Sequence, residues 1–526
     1  MGKLFKKKRT LLMLFFIAAI AVMDLRCTGS LQSTSKDDKP SGNGEALAKL
    51  YCASCHQYPA PSLIDKNTWI THVLPKMAER LNLENFNGHY GLTVKSMISI
   101  PDFDSIVAFY KRSAPKELTI PKPRYVSDWA IFSLQKPTDV STQPGNEANT
   151  VMVTYDRDNR KLYSSDLRND VYSWSKDLKP TIVTTTPSPA VSASFYKDSA
   201  ARNKMVITCI GLLNPNDLLK GALVETDADA GHSGTPVVLM DSLSRPVQTV
   251  PGDFNRDGLT DYVICGFGNN RGNLYLLTQQ PGHKFKKSVI SAVPGSENVI
   301  TGDFNHDGYT DLMCLFAQAD EGIWMFLNDK KGGFETQNIM RFPPIYGSSS
   351  FQLVDFNHDG KPDIVYTCGD NSDLSPVLKP YHGVYIFINQ GNWRFKQEYF
   401  YHIDGATKAI ANDFDHDGDM DVAIIAYFPN FKDNPQQGFT YLEQTSAGKF
   451  LAHELPISDE GRWLTMEAAD IDGDGYRDLI LGNFSVEGRD LFNQKGVKKE
   501  WNRFTPIIVL KNIAGKQAKS SPINSK

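Results

Sequence analysis

The sequence predicts a mainly β chain, a seven-bladed β-propeller preceded by a small all-α domain. Three observations carry this reading. A nine-residue acidic motif recurs five times at a spacing suited to one blade. Each copy is followed by short apolar runs rich in β-branched residues. The only stretch with helical character lies ahead of the first copy, in residues 45–115.

At 526 residues the chain exceeds one ordinary core, so two domains are expected, one of them large. Apolar content of 41% and charged content of 22% are those of a globular protein, and a net charge of -4 gives no footprint for nucleic acid. Aromatic content of 11%, with 39 Gly and 29 Pro, favours many short strands joined by turns.

At the N-terminus Lys3, Lys6, Lys7, Lys8 and Arg9 precede an unbroken apolar run, 11–23. That run has the length of a signal-peptide core and is short for a bilayer span, so residues 1–26 read as a signal peptide. Cys27 follows at once, and the polar stretch through residue 44 reads as a flexible tether. This arrangement resembles the lipidated cysteine of bacterial lipoproteins, although Arg26 stands where that pattern prefers a small residue. Cys27 is therefore the lipidation candidate; the alternatives are an uncleaved anchor or an ordinary cleaved signal. Each places the mature chain outside the cytoplasm, in the bacterial periplasm or at the outer-membrane or cell surface, with the membrane reached only through the N-terminal anchor.

Residues 45–115 read as helices at 45–51, 69–81 and 103–112, and contain Cys52-Ala53-Ser54-Cys55-His56. Two thiols on one helical turn can each add across one vinyl group of a haem, which sets the adjacent His under the iron. A Cys-x-x-Cys alone would also suit a redox dithiol or half a zinc site. No βαβ pattern surrounds this one, and the next cysteine is Cys209. The segment, with Pro59 and Pro61 after the motif, resembles a small class I-type cytochrome c domain. The resemblance implies haem c bound covalently at Cys52 and Cys55, His56 as axial ligand, and a Met opposite it. Met77 is the first candidate and Met97 the alternative, with His72 and His89 also open as sixth ligands. A Pro-rich linker, 116–126, follows.

The repeated motif reads Asp253-Phe254-Asn255-Arg256-Asp257-Gly258-Leu259-Thr260-Asp261 in its first copy. The later copies begin at Asp303, Asp355, Asp413 and Asp470, so the starts are 50, 52, 58 and 57 residues apart. Oxygen side chains at positions 1, 3 and 5 of a tight loop converge on one point, position 7 offers its carbonyl, and an Asp at position 9 returns to the shell. The corresponding sets are Asp253, Asn255, Asp257, Leu259 and Asp261; Asp303, Asn305, Asp307, Tyr309 and Asp311; and Asp355, Asn357, Asp359, Lys361 and Asp363. The last two are Asp413, Asp415, Asp417, Asp419 and Asp421, and Asp470, Asp472, Asp474, Tyr476 and Asp478. Hard oxygen donors at this density suit Ca²⁺, giving about five sites. An EF-hand is excluded, because its position 12 Glu is replaced here by Ile264, Cys314, Tyr366, Ile424 and Leu481. The role expected for the metal is structural.

Each loop leads into a short strand, then a second strand, a Gly- or Asn-containing turn and a polar edge strand; with the strand entering the loop, that makes one four-stranded blade. These residues resemble FG-GAP/VCBS repeats, whose propellers commonly close at seven blades. Residues 190–211 and 151–172 are fainter copies that complete the seven. Their loops, around Asp198 and around Asp156 and Asp158, lack the full Asp set, so no Ca²⁺ is expected there. The last blade lacks a strand, and the run 129–134 is placed to supply it, bounding the propeller at 127–515 before a polar tail, 516–526.

His306, His358 and His416 share position 4 and are expected to point outward into solvent. Cys209, Cys265, Cys314 and Cys368 recur on the strand after the loop, as small buried hydrophobes. No hydrolase or transferase motif stands out, so no catalytic residue is assigned. The leading reading is an exported electron-transfer protein whose propeller binds a redox partner protein, or a macromolecular or glycan ligand. Two alternatives are a propeller dehydrogenase that passes substrate electrons to its own cytochrome domain, and a surface adhesion or glycan-binding module. The 7 Trp of the chain show none of the Trp-rich docking motifs of quinone-dependent propeller enzymes.

Overall fold

The computed structural model describes residues 43–86, 89–197, 201–228, 235–371, 377–485 and 501–516. The signal peptide, Cys27, most of the tether, Asp198 and the tail beyond 516 lie outside them.

Seven four-stranded antiparallel sheets follow one another along the chain. Blades 1 to 6 comprise residues 150–185, 190–243, 246–291, 296–341, 348–402 and 406–454, and blade 7 comprises 463–512 with a fourth strand taken from Phe132–Gln135. The second strand of each acidic-loop blade, such as Asp261–Gly266, Asp311–Phe316 or Asp421–Ala426, is buried along its whole length. A strand covered on both faces must be apolar at every position rather than at alternate ones, which is why these runs show no period of two. The outer strands, such as Lys284–Ser291 and Phe334–Arg341, are largely exposed and correspondingly polar.

The two faint repeats are complete blades. In blade 1 the turn between Thr150–Asp156 and Lys161–Asp166 is closed by Asp156, whose carboxylate accepts from the main-chain N–H groups of Asp158 and Asn159 at 3.1 and 3.2 Å. The strand expected at 129–134 forms at Phe132–Gln135 and pairs antiparallel with Ile507–Asn512, Phe132 opposite Asn512. Phe132 is buried and meets the rings of Tyr441 and Phe414 edge-on at 5.2 and 6.1 Å, so the closing strand is anchored in the blade 6–7 core.

Ahead of the propeller the described residues include the helices α1 (Gly44–Tyr51), α2 (Leu74–Arg80) and α3 (Ile100–Ser113), besides a short helical turn at Lys66–Thr68. Asn43 and Ser99 cap the first turns of α1 and α3, and a π-type turn, Trp69–Val73, runs into α2. Trp69 and Tyr110 pack at a ring distance of 4.3 Å in a core that also includes Phe103 and Ile106. Gly44 belongs where it is because α1 crosses α3 so closely that a Cβ would come 2.2 Å from the Ser105 carbonyl oxygen. The segment is not all-α: Leu83–Phe86 and His89–Leu92 form a two-stranded hairpin. The physical reason is local, since Asn87-Gly88 lies between the strands in sequence and that pair suits a tight hairpin connection. Among the described residues, no helix is long and apolar enough to cross a membrane.

The helical segment packs on the propeller at blades 3 to 5. Ile345 and Val377 join its apolar core, Tyr381 donates its hydroxyl to the Leu63 carbonyl at 3.1 Å, and Arg80 reaches the Asn270 side chain. The linker then passes over blade 6, where Val126 and the outer strand exchange main-chain hydrogen bonds with Ala452 and Glu454 at 2.8 and 2.9 Å.

Candidate cofactor and metal sites

A cavity of about 670 Å³ lies where the helical segment meets the loops of blades 3 to 5. One wall brings together Cys52, Cys55, His56, Met77 and Met97, with Trp69, Val73 and Leu74 completing an apolar surface. The pattern around the motif follows from the chain path: α1 ends at Tyr51, a 3₁₀ turn Cys52–Ser54 tightens the next residues, and His56 follows in a bend. Cys52 is half-buried, and burial pushes its thiol up to about 11. His56 places Nδ1 2.9 Å from the Gln57 carbonyl oxygen, which makes Nδ1 the donor and Nε2 the free lone pair. Burial holds its imidazole below the usual range, in the neutral form that ligates a metal.

Of the four residues named as sixth-ligand candidates, Met77 and Met97 line this cavity. His72 and His89 are exposed outside it, and His72 pairs with the Thr71 hydroxyl at 2.7 Å. The opposite wall belongs to the propeller and carries polar Asn270, Gln318, Glu321, Asp370 and Lys379 among apolar Pro294, Ala317, Pro344 and Ile345. Glu321 is 2% exposed and accepts from the Ser348 N–H at 3.0 Å and its hydroxyl at 2.7 Å. Burial pushes its carboxyl up to about 8. The Gln318 Oε1 is buried without a hydrogen-bond partner among the described residues. An apolar slot with two thiols, an orientable imidazole and one orphaned polar atom on the far wall fits a large flat cofactor with a polar end.

The five acidic loops join the innermost strand of blades 3 to 7 to the next strand. The glycine at position 6 has φ between +82° and +99° in every copy, a conformation only glycine adopts without strain. Asp413, Asp415 and Asp417 bring carboxylate oxygens within 4.8 Å of one another, as do Asp470, Asp472 and Asp474. Burial, with the like charges of Asp417 and Asp413, raises the Asp415 carboxyl, and Asp413 Oδ1 is buried without a hydrogen-bond partner among the described residues. Such a cluster is relieved by a cation. Lysines approach the acids in three loops: Lys330 meets Asp307 at 3.1 Å, Lys361 meets Asp359 at 2.5 Å, and Lys511 meets Asp472 in the second of these clusters.

The position 9 aspartates play a part that spacing did not reveal. Asp363 accepts the Phe356 N–H at 3.0 Å with Oδ2 and the Asn389 N–H at 2.7 Å with Oδ1, tying the loop to the third strand. Asp261, Asp311, Asp421 and Asp478 repeat this arrangement.

At position 4, His306, His358 and His416 are exposed as expected, and two of them also touch a neighbouring loop: His358 bonds to Gly418, and His416 stacks on Tyr476 at 4.1 Å. Arg256 likewise reaches the Gly308 carbonyl and lies 4.2 Å over the Tyr309 ring. Each joins its own loop to the loop of the next blade. The fifth loop carries Gly473 at this position, where a Cβ would come 2.2 Å from the Arg160 guanidinium of blade 1. The four recurring cysteines are free and fully buried, as expected.

The fold and repeats define the class: the chain is a seven-bladed β-propeller, and its residues 253–314 and 303–366 match the FG-GAP-like repeat. It is similar to mouse (Mus musculus) cartilage acidic protein 1, with 29% identity over 163 residues covering 29% of this chain and 24% of that protein. The chain thus matches about a quarter of that relative's length. Among solved structures it is similar to the WD40 β-propeller domain of Doa1 (12% identity, TM-score 0.41, 72% of this chain and 96% of that one). The propeller domain of Myceliophteria thermophila Cps50 (Swd1) is comparable, with 10% identity, TM-score 0.42, and coverage of 66% and 96%.

Proposed function

We propose that this protein is an exported c-type haem protein that transfers single electrons, built on a calcium-stabilised propeller that serves as the binding scaffold for its partner. The supporting observation is that one cavity gathers Cys52, Cys55, His56, Met77 and Met97 from separate parts of the helical segment. In this reading Cys52 and Cys55 carry the thioether bonds, and His56 Nε2 and Met77 are the axial ligands, with Met97 as the alternative. A haem so ligated supplies one-electron chemistry, at a potential raised by a thioether ligand relative to bis-His ligation. The chain's own contribution is to orient His56 through Gln57, to line the slot with Trp69, Val73 and Leu74, and to exclude water. The propeller-dehydrogenase reading would add a substrate to this same site.

Calcium is proposed at the five acidic loops, with the 413–421 loop as the strongest site. Positions 1, 3, 5 and 7 supply the shell, and position 9 joins it by sharing an oxygen that already takes a main-chain N–H.

Expression with covalent haem maturation, followed by mass and spectra in both redox states, tests the proposal. The expected result is a mass increase of one haem and a sharp reduced band near ~550 nm, both lost in Cys52→Ala/Cys55→Ala. An unmodified wild-type mass overturns it.

A further inference from the structure

We infer that the propeller completes the polar part of the haem site, with Arg80 of α2, held on the propeller's Asn270, and Lys379, held on Asn371, anchoring the propionate groups. This rests on the haem reading above and goes beyond it, because it assigns propeller residues to the cofactor and makes the cofactor a staple between the two domains.

Both walls of the cavity are mixed, but their polar groups differ: the helical segment brings the thiols, the imidazole and Arg80, whereas the propeller brings Asn270, Gln318, Asn371 and Lys379 from loops of blades 3, 4 and 5, beside apolar Pro294, Ala317 and Ile345. A haem carries vinyl groups and an apolar ring at one end, two carboxylates at the other. With the vinyl end tied at Cys52 and Cys55, the carboxylates have the propeller wall to meet.

The two cationic donors are positioned by their own partners. Arg80, at the end of α2, extends to the Asn270 side-chain oxygen. Asn270 is in turn fixed by Asp217, which accepts its N–H at 2.7 Å and its side-chain N–H at 2.8 Å. A guanidinium has five N–H donors, so one contact to Asn270 leaves a fork for a carboxylate. Lys379 is 1% exposed and brings Nζ to within 2.5 Å of Asn371 Oδ1. An ammonium carries three donors and can give one to an anionic occupant as a charge-assisted hydrogen bond.

The remaining groups are compatible with this. Lys76 is already paired with Glu79 at 2.6 Å, and Asp370 also lines the cavity. Glu321 is saturated by Ser348, and its raised carboxyl stays protonated at neutral pH, so it does not repel a propionate. Exchanging the amide oxygen and nitrogen of Gln318 would turn its orphaned atom into a further donor.

The test uses the full chain matured with haem, comparing wild type with Arg80→Gln, Lys379→Gln and, as a control for general charge, Lys95→Gln, which lies exposed outside the cavity. Covalent haem content and midpoint potential are measured for each. Removing a cation beside the haem favours the oxidised form, so the potential falls in Arg80→Gln and Lys379→Gln, haem content stays equal, and Lys95→Gln matches wild type. Unchanged potentials in Arg80→Gln and Lys379→Gln with full haem content overturn this inference and leave the haem reading standing. An equal fall in Lys95→Gln also overturns it. If Lys379→Gln fails to fold, Arg80→Gln decides alone, because its side chain is exposed at the rim. A wild type without covalent haem overturns the haem reading and this inference together.

Discussion

His358 donates its Nε2–H to the carbonyl oxygen of Gly418 across 2.9 Å, and so joins the acidic loop of blade 5 to that of blade 6. Both residues sit at positive φ, +58° and +99°, so each backbone is already turned to make the contact. His358→Ala removes this bond while leaving every proposed metal ligand in place. The expected loss is about 1 kcal/mol of stability. Urea unfolding with calcium in excess measures it, and an unchanged midpoint would show that the two loops are not coupled here.

Calcium removal should reach further. A cation that binds only the folded state adds about 2.7 kcal/mol per site at a hundredfold excess over Kd. Chelation is therefore expected to lower the thermal midpoint clearly. Asp415→Asn, in the loop with three close carboxylates and no lysine contact of the kind seen at Asp307 and Asp359, should reduce the calcium dependence most. Equal calcium sensitivity in the variant would argue against occupancy of that loop.

Asp363 tests the position 9 role apart from metal. It is fully buried, and its carboxylate satisfies the N–H groups of Phe356 and Asn389. Asp363→Ala leaves two buried donors unpaired, at a cost of about 3 kcal/mol or more. The loss should persist in chelator; a loss seen only with calcium present would mean that the residue acts purely as a ligand.

Glu321 predicts a pH dependence. Burial raises its carboxyl from 4.5 to about 8 in the folded protein. The folded state therefore holds a proton that the unfolded chain has released, and stability falls as pH rises from the unfolded value through about 8. Glu321→Gln should flatten the profile in that window. Retention of the full slope in the variant would assign it to other groups.

The propeller was legible because its signals are redundant and local. An acidic loop, the glycine at position 6 and a wholly apolar strand repeat together, and the closing strand at Phe132–Gln135 followed from the missing fourth strand of blade 7. The hairpin at 83–92 was overlooked although Asn87-Gly88 is a turn signal, because the strands are four residues each and sit among helices. Contacts between repeats were not legible. Nothing in Asn357-His358-Asp359 states that the imidazole meets a carbonyl 60 residues on, since that depends on the rotation between blades. The cavity was half legible: Cys52, Cys55 and His56 are contiguous, whereas Asn270, Glu321 and Lys379 are brought to them only by domain docking.

The pairing of Phe132–Gln135 with Ile507–Asn512 also sets an order of events. Ser133 and Lys511, which touch across this seam, are 378 residues apart in the chain. During synthesis the first half of the seam waits, with an open edge, until Ile507–Asn512 has been made. The ring therefore has no closed intermediate, and a chain cut short before residue 507 would leave six blades built, blade 7 with two of its four strands and the circle unsealed.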